Sequence, residues 1–99
     1  MTKIEPGEMV IVILREPREK MWGVLGEIAP AGVFVRGIDL NSFEDFTRAV
    51  KEGAEYYGLY EQFFPMWRVE RITKDERNGS IPATHEEFTN KTGFALSEI

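Results

Sequence analysis

The chain holds one histidine, His85, and it stands directly before two carboxylates, Glu86 and Glu87. An imidazole beside carboxylates is the arrangement from which a proton shuttle can be built. The same positions open an amphipathic segment, where acidic residues in a first helical turn are favoured by the macrodipole. The triplet is therefore read as a solvated helix start. Glu44 and Asp45, adjacent in sequence, point to different sides of a helix and are poorly placed to share a proton. There is no G-x-S-x-G elbow, no glycine-rich phosphate loop with a following Lys-Ser/Thr, no H-E-x-x-H and no Asp-rich calcium loop. With no cysteine, thiolate nucleophiles, thiolate metal sites and disulfides are excluded. The expectation is a non-enzymatic protein with no metal site and no cofactor.

Binding chemistry is better represented. Arg68 and Arg71 lie in a short span with Lys74 and Arg77, and Arg36 is able to join them in space. Trp67 and Tyr60 would supply stacking surfaces for bases, as Trp22, Tyr56 and Tyr57 also would, so Arg36, Arg68, Arg71, Trp67 and Tyr60 form the candidate RNA contact set. The formal charge of −5 makes long-range attraction to phosphate unfavourable, so RNA binding needs a local basic patch. Glu70, Asp75 and Glu76 interrupt that patch, and a solvated mixed-charge face is the competing reading.

The elements that must position these residues are mostly strands. Gly58 to Thr73 packs aromatic and β-branched residues into two runs hinged at Pro65, which has no N–H for a ladder and biases Phe64 toward extended geometry. Met9 to Leu14 is apolar at every position, as in a strand covered on both faces, which requires a helix or another subunit over its outer side. A charged connection at residues 15–20 leads to a returning strand, Met21 to Ile28, with Gly23 and Gly26 where a tightly bent sheet needs them. After a turn at residues 29–32, Val33 to Ile38 is a third strand. Ser42 as N-cap with Asp45 predicts a short helix to Val50 with Phe43, Phe46 and Val50 on one face and a Glu44–Arg48 pair on the other. A polar loop with an Asn78-Gly79 turn signal follows the last strand, and Thr84 with Glu87 predicts a second short helix carrying a Glu87–Lys91 pair. Gly93 and Phe94 predict a Schellman ending with Phe94 packed on Phe88.

At 99 residues, with 42% hydrophobic and 29% charged residues, the chain is expected to be one domain with one core. No apolar run is long enough to span a membrane and the start lacks a signal-peptide pattern, so a cytoplasmic protein is expected.

Gly23-Val24-Leu25 in the second strand, Val33-Phe34-Val35 in the third and Val35-Arg36-Gly37 at its end resemble the motifs of the Sm and Sm-like superfamily, with Phe64-Pro65-Met66 at the last turn. The resemblance rests mainly on strand order and covers residues 7–73. Ala29 and Gly32 or Val33 stand where that family has its loop aspartate and base-contacting asparagine, so uridine recognition is not implied. The resemblance implies a mainly β fold with two short helices, a small SH3-like or Sm-like bent barrel of about five strands. The barrel would occupy residues 7–73, with a loop and short helix over residues 74–99. Met9 to Leu14, apolar on both faces, and the aromatic strands flanking Pro65, with little charge to blunt an edge, point to a homo-oligomer that presents a binding surface, a ring built by edge-strand pairing in preference to a dimer. Phe63, Phe64, Met66, Val10 and Val12 are the candidate interface residues. RNA binding and a monomeric SH3-like protein-interaction module are the alternatives.

Overall fold

The computed structural model describes residues 3–53 and 59–96. Tyr56, Tyr57 and the end of the tail lie outside the described residues. The fold is mainly β. Strands β1 (Met9–Leu14), β2 (Glu19–Ala29) and β3 (Gly32–Asp39) form an antiparallel meander, followed by helix α1 (Phe43–Lys51). Strands β4 (Tyr60–Pro65) and β5 (Val69–Lys74) come next, and helix α2 (Thr84–Thr92) closes the described order. The sheet order is β4-β3-β2-β1-β5. Consecutive strands β4 and β5 thus occupy opposite edges, joined by the single 3-10 turn Met66–Arg68. So short a connection spans two edges only if the sheet curls until they approach. The result is a mainly β, five-stranded bent barrel with two short helices, left unclosed between β4 and β5 among the described residues. Pro65 ends β4 at an edge, where a missing N–H costs no ladder bond.

The curl needs a close crossing of β2 and β3. Gly23 and Gly37 are opposite each other there, and a Cβ on Gly37 would lie 2.2 Å from the Trp22 carbonyl oxygen. Gly26 marks a bulge, since the register shifts between Leu25 and Glu27.

The apolar residues divide into two cores on opposite faces of one sheet. Val10, Val12 and Leu14 of β1 join Met21, Leu25, Val33, Val35 and Phe64 inside the barrel. Met9 and Ile11 of the same strand pack outward against Trp22, Phe43, Phe46, Val50 and Phe88. The doubly covered strand expected at Met9 to Leu14 is therefore covered within the chain, by α1 and α2. The Trp22 ring meets Phe43 edge-on at 5.3 Å between centroids, and Phe46 and Phe88 stack at 5.6 Å. Such ring pairs each add about 0.5–1.5 kcal/mol beyond the area they bury.

Both helices begin with contacts different from those of the local signals. Ser42 holds the expected N-cap position of α1 but makes no side-chain capping bond; Asp39 instead accepts from Asn41 N–H at 2.7 Å and leads through a 3-10 turn, Leu40–Ser42, into the helix. In α2 the N-cap is Ala83, one residue before the expected Thr84, because Asp75 accepts from the backbone N–H groups of Thr84 and His85 and draws both into the first turn. Glu86 reaches back to Ala83 N–H at 2.8 Å, the contact expected of Glu87. The surface pairs also differ. Asp45 pairs with Arg48, and Glu44 reaches Lys91, tying α1 to α2 where two separate intrahelical pairs were expected. Gly93 takes the expected left-handed conformation, but Phe94 is exposed and Leu96 packs on the outer core in its place. Among the described residues, no helix is long and apolar enough to cross a membrane.

Candidate ligand-binding cleft

A cleft of about 580 Å³ opens where the end of β3, the start of β2 and the inner face of β4 meet α1. Its apolar wall comes from Met21, Ile38, Phe46 and Phe64. Glu19, Asp39 and Asp45 are the charged groups of its lining, which contains no lysine or arginine among the described residues. Tyr60 and Gln62 border it from β4, and Tyr60 is 63% exposed there. Each carboxylate keeps acceptor capacity. Glu19 receives Arg68 on one oxygen, Asp39 receives Asn41 N–H on one, and Asp45 receives Arg48 on one.

The structure scatters the candidate RNA set. Arg68 is half-buried and committed: it donates to the Arg15 and Pro17 carbonyls and pairs with Glu19 at 2.7 Å. Arg15 answers by donating to the Trp67 carbonyl, so this cluster staples the β1–β2 connection to the 3-10 turn after Pro65. Arg36 lies on the outer face in the row of Val24 and Met9. Arg71 lies in the row of Ile13 and Lys20, on the far side of the Trp22–Ile11 row that the helices cover. Trp67 is 57% exposed beside the 3-10 turn, whereas Tyr60 borders the cleft.

The candidate interface set divides too. Val10, Val12 and Phe64 have their side chains in the barrel interior and offer no surface to a second subunit. Alternation along β1 and β4 decides this, since the even-numbered residues face inward. Phe63 is 43% exposed with its ring 4.9 Å from Phe34, and Met66 is exposed.

The histidine triplet is likewise divided. His85 borders a second cavity of about 440 Å³ that also meets Glu8, Asp75 and Glu76. Glu86 turns to Arg77 at 2.9 Å. The Ala83 N–H bond and then Arg77 hold the Glu86 carboxyl below its ordinary range. Asp75, buried, accepts from Trp22 Nε1 and from Thr84 and His85 N–H, which occupies both its oxygens structurally.

Sequence reasoning missed Glu19, Asp39 and Gln62 as cleft residues and Asp75 as a buried anchor. A signal for the cleft lay in the acidic density of residues 39–45 beside the aromatic helix face. None existed for Asp75, whose partners are a strand tryptophan far back in the chain and the start of a helix across the following loop. Comparison with protein-family models, with curated proteins and with solved structures finds no match to this chain.

Proposed function

We propose that this protein is a non-enzymatic binding module of the SH3-like or Sm-like barrel type, whose ligand is a cationic, partly apolar polypeptide segment held in the cleft beside α1. The observation that carries this reading is the lining itself, an apolar wall with three carboxylates and, among the described residues, no lysine or arginine. Arg68 and Arg48 each engage one oxygen, of Glu19 and Asp45 respectively, and Asp39 pairs with no arginine among the described residues. Lysine and arginine suit such a surface because their aliphatic stems cover apolar groups while the charged heads reach carboxylates. The net charge of −5 favours encounter with a cationic partner. RNA is the weaker ligand on this reading, because Arg68 is spent on structure and Arg36 and Arg71 lie apart on the outer face.

Fluorescence anisotropy with a labelled alternating Lys-Val octapeptide, its Glu-Val counterpart and oligouridine separates the ligands. Binding of the Lys-Val peptide that weakens with salt and with Asp45→Asn is expected. Preference for oligouridine, with a salt slope reduced by Arg36→Ala or Arg71→Ala, would restore the RNA reading.

Self-assembly is a second reading, supported by the two sheet edges, β4 and β5, that have no neighbouring strand among the described residues. Repeated β4-to-β5 addition is a heterologous contact, which closes into a ring when its rotation divides the circle. Light scattering after size exclusion tests it: a mass of 11.4 kDa at micromolar concentration excludes the ring.

A further inference from the structure

We propose that the ligand of the cleft adds to the edge of β4, which has no neighbouring strand among the described residues, as an antiparallel sixth strand. The inference rests on the cleft reading above and names how the segment is held. Its starting point is one hydrogen bond, from Met66 N–H to the Ala31 carbonyl at 2.9 Å, which continues the β3–β4 ladder by one step. Antiparallel partners alternate between pairs that exchange backbone hydrogen bonds and pairs that do not. With Ala31 opposite Met66 bonded, the bonded pairs along the register are Val33–Phe64, Val35–Gln62 and Gly37–Tyr60. The intervening residues Glu61 and Phe63 therefore aim their N–H and C=O groups away from β3, at the open edge. Pro65 falls in the same set, which is why its missing N–H removes nothing from the ladder.

The side chains follow the same alternation. Tyr60, Gln62 and Phe64 border the cleft, while Phe63 lies on the outer face against Phe34. A strand paired to Glu61 and Phe63 would put every second side chain over the cleft and the others beside the Phe34–Phe63 rings. Strand addition of this kind draws affinity from main-chain bonds and selectivity from alternate side chains. The edge from Glu61 to Pro65 takes roughly five residues at strand spacing. The fitting ligand is an extended segment with lysine or arginine at the cleft-facing positions and β-branched residues between them.

In an antiparallel addition the ligand residues that exchange bonds with Glu61 and Phe63 are those facing outward, the valines of an alternating Lys-Val peptide. N-methylation of the valine nitrogens should weaken binding by roughly tenfold or more, because it removes the donors to β4. N-methylation of the lysine nitrogens should leave binding nearly unchanged. Amide exchange at Glu61 and Phe63 should slow when the unmodified peptide is added. Carboxylate-dependent binding that is indifferent to which nitrogens are methylated would overturn strand addition and leave the cleft reading standing. No binding of the unmodified peptide would overturn both. Glu61 and Phe63 amides already protected without peptide, in a species with a multiple of the chain mass, would show a second copy on this edge and overturn the proposal. Glu61→Pro deletes one edge donor without touching the β3 ladder, so it should weaken the peptide where Glu61→Ala does not.

Discussion

The indole N–H of Trp22 donates to Oδ2 of Asp75 over 2.9 Å, and the same carboxylate accepts from the first two N–H groups of α2. One buried side chain thus fixes a central strand to a helix that its own sequence caps only in part. An amide at this position has one acceptor oxygen in place of two and brings N–H groups that meet donors. Asp75→Asn should therefore destabilise the fold by about 2–3 kcal/mol, the cost of buried donors left unpaired. Urea unfolding followed by circular dichroism reads this as a lower midpoint with an unchanged slope. A midpoint equal to that of the parent would show that α2 docks without Asp75.

Arg68 illustrates a residue type that signals binding in sequence and serves structure in the fold. Its guanidinium serves two carbonyls and the Glu19 carboxylate in one fork. Arg68→Lys keeps the charge but not the fork geometry, so it should cost nearly as much as Arg68→Ala, about 1–3 kcal/mol. Thermal unfolding of both variants checks this; full rescue by lysine would show that charge alone is what this site uses.

Phe64 and Phe63 are neighbours with opposite fates. Phe64 is 9% exposed inside the barrel and Phe63 is 43% exposed outside it. Phe64→Glu should prevent folding, since an unpaired interior carboxylate costs several kcal/mol, roughly the whole stability of a small domain. Phe63→Glu should fold at every concentration. Equal tolerance of both substitutions, measured by near-ultraviolet circular dichroism, would contradict the inward placement of Phe64.

Glu86 makes stability depend on acid. Its folded pKa lies below the ordinary value of 4.5, first because of the Ala83 N–H bond and then because of Arg77. A group depressed in this way favours the folded state above its unfolded pKa, and that contribution is lost as pH falls through the folded value. Urea midpoints of the parent and Glu86→Gln should differ at pH 7 and converge as pH falls below about 4.5. A gap that persists at the acid end would assign the effect to packing and not to charge.

The strands were legible in the sequence because their signals are local. The apolar run at Met9, the glycines at residues 23 and 26, and the proline hinge each report a condition met by immediate neighbours. Helix existence was legible for the same reason, from Phe43, Phe46 and Val50. What escaped was anything decided by partners outside the element itself. Thr84 satisfies the capping pattern by itself, yet Asp75 shifts the cap to Ala83 from outside the helix. Arg68 looks available until the β1–β2 connection folds over it. The acidic stretch at residues 39–45 marks one wall of the cleft, but Glu19 and Tyr60 reach it from separate strands that no spacing connects.

The strand β1 is apolar throughout, with Val10, Val12 and Leu14 in one core and Met9 and Ile11 in the other. A strand with one wet face loses heavily when it slips by one residue, because its polar and apolar sides change places. Here a slip would exchange hydrophobe for hydrophobe, so β1 supplies cohesion to both layers and almost no information about its own alignment. That information sits at its ends. The Glu8 carboxylate meets Lys74 at 3.5 Å at one end, and the Arg15 guanidinium donates to the Trp67 carbonyl at 2.7 Å at the other. Mutational tolerance should follow this division of labour. Conservative exchanges among the interior valines would alter how tightly the layers hold together, while changes at the polar ends would blur which of several alignments the chain selects.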